Sequence, residues 1–281
     1  MDIAVVNWDV DNVWYKGIST TYCAEKSTLD PKPFIYDFIK KGWFTEEDIR
    51  KWDAKYNDNK GIKTVGSLSK CLTDFFYKMK KNEKPVITRD QIIEGKQSLL
   101  RGMTIKDIIE IADSVDFSDG LVETIEDFRK RKIYQTAFSD GLGPFVCYLM
   151  KKNKMDYKGF VPAIMEIGGE EKPFEEHMLD IKDAKLTGKT LKFDKASSFF
   201  KHIEKKGHPL NVIAAIDDSG ANVETLLLPI QEGGGIAVGY NPTEEHKKIF
   251  YKFSIPVLKG TDLRLFGEIV RNPGKIKDYC I

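Results

Sequence analysis

Short apolar runs alternate with longer amphipathic segments along much of the chain. Ile3–Val6 and Val212–Ile216 are continuous apolar runs, the pattern of strands buried on both faces of a parallel sheet. The segments 120–132, 143–152 and 194–203 lie around these runs and are predicted to be helices. This alternation of strands and helices predicts an α/β fold whose parallel sheet is covered on both faces.

Three further apolar segments are predicted to be strands. Ile133–Phe138 is expected to end at Ser139, and Gly235–Gly239 and Ile255–Leu258 are expected to be the last short strands. A helix is predicted to begin near Asn222. The sequence contains neither an internal repeat nor a long low-complexity linker.

The segment 15–115 has a different character, because it is rich in lysine and aromatic residues and shows helical periodicity. Its apolar residues recur at three- and four-residue steps in two stretches: Leu68, Cys71, Leu72, Phe75, Phe76 and Met79, and then Ile105, Ile108, Ile109 and Ala112. We therefore predict a helical insert over 15–115 in an α/β core formed by 1–14 and 116–281. Aromatic residues at helical spacing are usually core, so Phe75, Phe76 and Tyr77 are given no catalytic role.

Composition indicates a globular protein without a nucleic-acid partner. The 281 residues are 41% hydrophobic, enough to bury a sizeable core. The 44 Lys and Arg residues nearly balance 43 Asp and Glu residues, so the net charge of +1 gives no reason to expect a polyanion as partner. Basic runs such as 78–81 are expected to be solvated faces.

The cysteines and histidines suggest neither a disulfide framework nor a zinc site. The four cysteines form no CxxC pair, and the four histidines lack metal-ligand spacing. The first residues show no basic start followed by an apolar signal core. No apolar run approaches the roughly 18 residues that a membrane span needs. The default expectation is a reduced, cytoplasmic protein without a membrane partner.

Polar residues cluster at four places, two of them directly after predicted buried strands. The clusters are Asp9-Val10-Asp11, Ser139-Asp140-Gly141, Lys195, and Asp217-Asp218 with Asn222. Because the carboxyl ends of parallel strands meet in one crevice, these side chains are expected to converge there.

This set of residues suits the transfer of a phosphoryl group. Near a divalent cation, one carboxylate of the first pair can act as ligand and nucleophile while the other exchanges protons with a leaving group. Asp218 would complete an oxygen-rich site, which favours Mg²⁺. Lys195, the Ser139 hydroxyl and backbone N–H groups would stabilise the phosphoryl oxygens.

In this order the clusters resemble the motifs of the haloacid dehalogenase (HAD) superfamily. Asp9–Val13 matches the first motif, DxDx[T/V], Ser139 the second, Lys195 the third, and Asp218 with Asn222 the fourth. Three further stretches look like the phosphoserine phosphatase branch: Ser98–Ile105, Gly120–Ile125 and Leu186–Gly188.

The resemblance implies a Rossmann-like core with an inserted helical cap of the C1 type. It also implies an aspartyl-phosphate mechanism, in which Asp9 attacks phosphorus and Asp11 protonates the leaving alkoxide and then activates water. The phosphoryl group would be held by Ser139, Asp140, Gly141 and Lys195. The Mg²⁺ ligands would be Asp9, Asp11 through its backbone carbonyl, Asp218 and Asn222.

Several positions depart from the family pattern. Asn12 stands where a small residue is usual, Asp217 where glycine is usual, and Asn222 where a second aspartate is usual. In the cap, Ile18 takes the place of the glutamate that binds the substrate ammonium. Lys96, the substrate-binding candidate of the cap, takes the place of an arginine and cannot form its planar fork. Phosphoserine is therefore not predicted as the substrate.

The leading hypothesis is a Mg²⁺-dependent phosphatase that hydrolyses a small phosphorylated metabolite. The alternatives are a phosphotransferase or mutase that uses the same aspartyl phosphate, and a catalytically silent HAD-like binding protein. Two assignments also have local alternatives, because Lys189 or Lys192 could replace Lys195, and Asp217 could be an exposed acid in a turn. The identity of the leaving group and the oligomeric state are left open.

Overall fold

The computed structural model describes residues 2–81, 84–156, 160–161, 163–191 and 194–281. The strands are β1 (Val5–Trp8), β2 (Lys80–Lys81), β3 (Lys84–Pro85), β4 (Tyr134–Ala137), β5 (Ser139–Leu142), β6 (Phe160–Val161), β7 (Ala163–Ile167), β8 (Glu170–Pro173), β9 (Lys185–Thr190), β10 (Ile213–Asp217) and β11 (Ile236–Gly239). The α-helices are α1 (Ser19–Lys26), α2 (Lys32–Lys40), α3 (Glu46–Tyr56), α4 (Val65–Tyr77), α5 (Arg89–Ser98), α6 (Ile105–Asp113), α7 (Leu121–Lys130), α8 (Gly143–Lys152), α9 (Lys195–Lys206), α10 (Leu228–Glu232), α11 (Glu244–Lys252), α12 (Arg264–Arg271) and α13 (Ile276–Tyr279).

The predicted parallel sheet is present, with its strands in the order β11-β10-β1-β4. The sheet divides its buried apolar residues into two clusters, one on each face, because successive side chains of a strand point to opposite faces. Val6 and Trp8 of β1 belong to one apolar cluster, while Val5 belongs to the other. On the first face Trp8 packs edge-on against Phe266 of α12, with ring centroids 5.4 Å apart. The α/β prediction is confirmed, because β11, β10, β1 and β4 form a parallel sheet with buried apolar residues on both faces.

The helices α1 to α6 all fall within the predicted insert, where β2 and β3 also form a short antiparallel pair. Helices α3 to α6 each begin with a capping box, in which a threonine and the residue three positions later satisfy each other's backbone N–H groups. Trp52 anchors α3 on α4, since its buried indole N–H donates to Asp74 at 3.0 Å. The buried apolar residues of the insert belong to the same cluster as Val6 and Trp8, so the insert packs onto that face of the sheet. Among the helices of the described residues, none combines the length and the apolar character that a membrane span needs.

Three features differ from the sequence prediction. An antiparallel sheet of order β8-β7-β9 is formed by the segment that follows α8 and precedes α9 in the sequence. It was not predicted, because all four residues of β8 are exposed and show no apolar alternation. Ile255–Leu258 is not a strand, since Val257 and Leu258 make only single bridges to Gly239 and Cys280. The helix expected near Asn222 starts as a 3₁₀ turn and a π-helical turn, and becomes α-helical only at α10. Such irregular turns often occur at functional sites.

Candidate active site

The four polar clusters meet at the carboxyl edge of the sheet, around the end of β1. Asp9 follows β1 directly, and its backbone N–H donates to Ile216 of β10 at 3.0 Å. Asp217 is the last residue of β10, and Ser139 opens β5, two residues after β4 ends. Since β1 pairs with both β4 and β10, the sheet order itself brings these clusters together.

Lys195 lies between two carboxylates at the centre of the site. Its Nζ is 3.0 Å from Asp9 Oδ1 and 2.6 Å from Asp217 Oδ2. It is the first residue of α9, which the Asp194 side chain caps by accepting from the Ser197 N–H. Burial lowers the pKa of Lys195, but Asp217 and Asp9 outweigh that effect and hold the pKa above its ordinary value. Lys195 is therefore a charged, buried cation.

The alternative lysines do not take this place. Lys189 is exposed and pairs with Glu171 at 2.6 Å. Lys192 lies outside the described residues. Lys195 is therefore the lysine that the structure places beside Asp9.

Asp217 points inward, contrary to the alternative that it is an exposed turn residue. It is 1% exposed and accepts from the Ser219 N–H at 2.9 Å as well as from Lys195. The Asn222 amide nitrogen donates to both Asp217 carboxylate oxygens at 3.1 Å. Asp217 stands where the resembled family pattern usually has glycine. It thus places an additional negative charge in the site.

Asp9, Asp217 and Asp218 form a cluster in which one carboxylate oxygen from each residue lies within 4.8 Å of the others. This group contains Asp217 but not Asp11, and the Asn222 amide nitrogen is directed at Asp217. Burial raises the pKa of Asp9 well above its ordinary value, with a further rise from Asp217. Three hard oxygen donors whose negative charges repel one another in a buried site suit a divalent cation such as Mg²⁺.

The Asp218 carboxyl makes the stability of the metal-free protein depend on pH. Burial and then the Asp217 charge raise its pKa from 3.8 to about 7. Between these two values the folded state binds more protons than the unfolded state, so stability is lost as the pH rises through about 7. From about pH 6 to about pH 8 we expect a loss of at most about 1.4 kcal/mol, or roughly 3 °C in Tm.

Thermal unfolding in a chelator at these two pH values measures this effect, and Asp218→Asn is the matched variant. The variant should show a smaller fall in Tm between the two pH values, and added Mg²⁺ should raise Tm more at the higher pH. An equal fall in Tm in Asp218→Asn and in the wild type would show that the Asp218 carboxyl does not cause it.

Asp11 is held by two residues that the sequence did not single out. The Tyr15 hydroxyl donates to Asp11 Oδ1, which also accepts from the Ser19 N–H at 3.0 Å. The Ser19 hydroxyl donates to Asp11 Oδ2 at 3.2 Å. Burial raises the pKa of Asp11, and these hydrogen bonds partly oppose the rise. A carboxyl group with a raised pKa can carry a proton nearer neutral pH, which a general acid needs.

The unusual Asn12 has a local structural reason. Its φ of +62° lies in the left-handed region, which asparagine tolerates better than most residues. Its side-chain oxygen also accepts from the Gly17 N–H at 3.0 Å. Asn12 therefore shapes the turn that leads from Asp11 into the helical insert.

The second motif combines a buried hydroxyl with a contact to the insert. Ser139 is 1% exposed, and its hydroxyl oxygen accepts from the Gly141 N–H at 3.1 Å. A Cβ atom at Gly141 would lie 2.7 Å from Val146, so only glycine fits there. The Asp140 carboxylate accepts from Arg89 of α5 at 2.9 Å. The Asp140 side chain thus joins the core to the insert.

Many of the residues of the candidate site line a cavity of about 430 Å³. The core side of the cavity includes Asp9, Asp11, Ser139, Lys195, Asp218 and Asn222. The insert contributes Ile18, Phe76, Tyr77, Arg89, Ile92, Ile93, Lys96 and Gln97. Phe75 is core as expected, but Phe76 and Tyr77 line the cavity. Helix α11 also reaches the cavity through Glu245, His246 and Ile249, which no sequence motif indicated.

No protein-family model matches this sequence, and no curated protein matches it. Among solved structures, an apo phosphoserine phosphatase is 16% identical with a TM-score of 0.58, and the match covers 96% of this chain and 99% of that chain. The fold is that of the HAD hydrolases. A phospho-aspartyl intermediate analogue of phosphoserine phosphatase also matches at 16% identity, with a TM-score of 0.57 and the same coverage of both chains. A HAD family hydrolase from Salmonella enterica serovar Typhi matches at 12% identity with a TM-score of 0.59, covering 88% of this chain and 66% of that chain.

These likenesses confirm the predicted fold. At such low identities they establish the fold alone. The chemistry has to be argued from the site itself.

Proposed function

We propose that this protein is a Mg²⁺-dependent phosphatase that hydrolyses a small phosphate ester through an aspartyl-phosphate intermediate. The observation that carries the proposal is the buried arrangement of Lys195 between Asp9 and Asp217, with Asp218 in the same carboxylate cluster. This arrangement lies at the base of a cavity of small-molecule size. The likeness to phosphoserine phosphatase structures supports the same reaction class.

The carboxylates of Asp9, Asp217 and Asp218 would hold the cation, since they supply the hard oxygen donors that it prefers. When bound, Mg²⁺ would neutralise charge on the phosphoryl oxygens and on the carboxylates. In this proposal Asp217 joins the ligand set expected from the sequence, and Asn222 leaves it. We propose that Asn222 acts by holding Asp217 in place.

Asp9 is the proposed nucleophile. Its Oδ1 accepts from the Val10 N–H at 2.9 Å and from Lys195, which fixes the rotation of the carboxylate. Attack on phosphorus forms an Asp9 oxygen–phosphorus bond and breaks the bond between phosphorus and the alkoxide of the leaving group. Lys195 and the Ser139 hydroxyl then stabilise charge on the phosphoryl oxygens. Asp140 would contribute through its backbone N–H, since its side chain binds Arg89. Gly141 would contribute by orienting the Ser139 hydroxyl, to which its N–H donates.

Asp11 is the proposed general acid and base. Its raised pKa lets it deliver a proton to the departing alkoxide, after which the carboxylate can take a proton from water. That water attacks the phosphorus of the aspartyl phosphate, which breaks the Asp9 oxygen–phosphorus bond, regenerates the Asp9 carboxylate and releases inorganic phosphate. Tyr15 and Ser19 keep Asp11 oriented during both steps.

A panel of small phosphate esters tests the proposed activity. We expect purified protein to release inorganic phosphate with Mg²⁺ and to lose at least ~100-fold of its activity in excess chelator, because a cation contributes several kcal/mol to the transition state. Restoring Mg²⁺ should restore turnover. Activity that is insensitive to the chelator, or calorimetric Mg²⁺ binding with no turnover across the panel, would contradict the proposal.

A further inference from the structure

Two consecutive residues of α5 bring polar groups to the cavity wall without satisfying them. Lys96 is 7% exposed and Gln97 is 2% exposed, and both residues line the cavity. Within the described part of the chain, Gln97 Nε2 has no hydrogen-bond partner. Lys96 Nζ contacts Thr21 Oγ1 at 3.4 Å, a long distance for a hydrogen bond. Buried donors normally find close acceptors, so a bound molecule is expected to supply one to Lys96.

Lys96 is also a cation without a matching anion. No carboxylate lies within ion-pair distance of Lys96 in the ranges that the structure describes, whereas Arg89, the other cation of the insert on this cavity, pairs with Asp140. Burial lowers the pKa of Lys96 to about 8, and the Asp11 charge only partly opposes this shift. Lys96 is therefore a cation of the cavity wall without a directly paired carboxylate among the described residues.

The other insert residues that line the cavity are mostly apolar, and none of them is acidic. Ile18, Phe76, Tyr77, Ile92 and Ile93 supply aliphatic and aromatic surface. The acids that line the cavity among the described residues are Asp9, Asp11, Asp140, Asp218 and Glu245, and none of them belongs to the insert. A leaving group that carries an ammonium would thus find no counter-charge on the wall that it faces.

We propose that the leaving group of the substrate has an apolar body and one carboxylate but no amino group. Lys96 pairs with the carboxylate. One uncompensated cation matches a carboxylate better than a second phosphate, which carries up to two charges. The cavity of about 430 Å³ accommodates a body the size of a phenyl ring beside the phosphoryl group. The inference rests on the proposed phosphatase function.

Three aryl phosphates test the proposal, because they differ only in the group opposite the phosphate. They are 4-(carboxymethyl)phenyl, 4-methylphenyl and 4-(2-aminoethyl)phenyl phosphate. With Mg²⁺ at about pH 7.5, we expect kcat/KM for the carboxylate to exceed that of the methyl compound by about tenfold or more, and the ammonium compound to be the poorest. Equal values for all three would overturn the proposal while leaving the phosphatase function intact.

Lys96→Met keeps the length of the side chain and removes its charge. It should make kcat/KM for the carboxylate compound about equal to that for the methyl compound, which abolishes the preference. Lys106→Met changes an exposed lysine of α6 and is the matched control, in which the preference should persist. A Lys96→Met variant that loses activity on all three compounds equally would assign Lys96 to the phosphoryl group and overturn the proposal.

Binding to the Asp9→Asn variant separates this inference from the proposed chemistry. Calorimetry with the same three compounds and Mg²⁺ should give the lowest Kd for the carboxylate and the highest for the ammonium. Absence of turnover in the wild type would refute the phosphatase function. Equal Kd values for the three compounds would refute the assignment of Lys96.

Discussion

Replacing Asp9 with asparagine is expected to lower kcat for phosphate-ester hydrolysis by ~10³-fold or more, because it removes the attacking carboxylate oxygen. The amide has nearly the same shape and can still accept from the Val10 N–H. The fold should therefore persist, as judged by circular dichroism. Steady-state release of inorganic phosphate with Mg²⁺ measures the loss.

The chemical intermediate provides a second measurement. Rapid acid quench of the wild type with substrate should give a phosphorylated protein whose modified peptide contains residue 9, and Asp9→Asn should give none. Asp58→Asn is a suitable control, since Asp58 is an exposed residue of the insert that pairs with Lys60. Asp9→Asn protein with turnover close to the wild type would exclude Asp9 as the nucleophile.

Replacing Lys195 with methionine is expected to destabilise the protein by about 3–5 kcal/mol in the absence of Mg²⁺, the usual cost of breaking a buried ion pair from one side. Asp9 and Asp217 both lose their contact to a buried cation. Urea unfolding in a chelator, analysed by linear extrapolation, measures the change. Activity should fall as well, because Lys195 is proposed to bind the phosphoryl oxygens.

A second substitution and a surface control show whether the loss of stability comes from the buried charges. Lys195→Met combined with Asp217→Asn should recover part of the lost stability, because one of the unpaired charges is gone. Lys189→Met breaks an exposed pair with Glu171 and should change stability little. If Lys195→Met costs no more than Lys189→Met, the buried pair contributes nothing to stability. Mg²⁺ should stabilise Lys195→Met more than the wild type, since the cation can replace the missing positive charge.

The sequence was sufficient for the elements that depend on local pattern. The buried runs that became β1 and β10, and the predicted helix over 143–152, are encoded by the pattern of consecutive side chains. The polar residues that end these strands could be placed at one edge, because parallel strands share their carboxyl ends. The β8 strand escaped prediction because its side chains are exposed and it lacks an apolar face.

The sequence alone therefore determined the parallel sheet, the helical character of the insert and the identity of the polar clusters, since each depends on neighbours along the chain. Only the tertiary structure decided that Asp217 faces Lys195, that Arg89 pairs with Asp140, and that Phe76 and Gln97 line the cavity. Helical periodicity shows which residues share a face. It cannot show whether that face meets a packed core or a cavity, because both surfaces are largely apolar, and only the packing of distant elements distinguishes them.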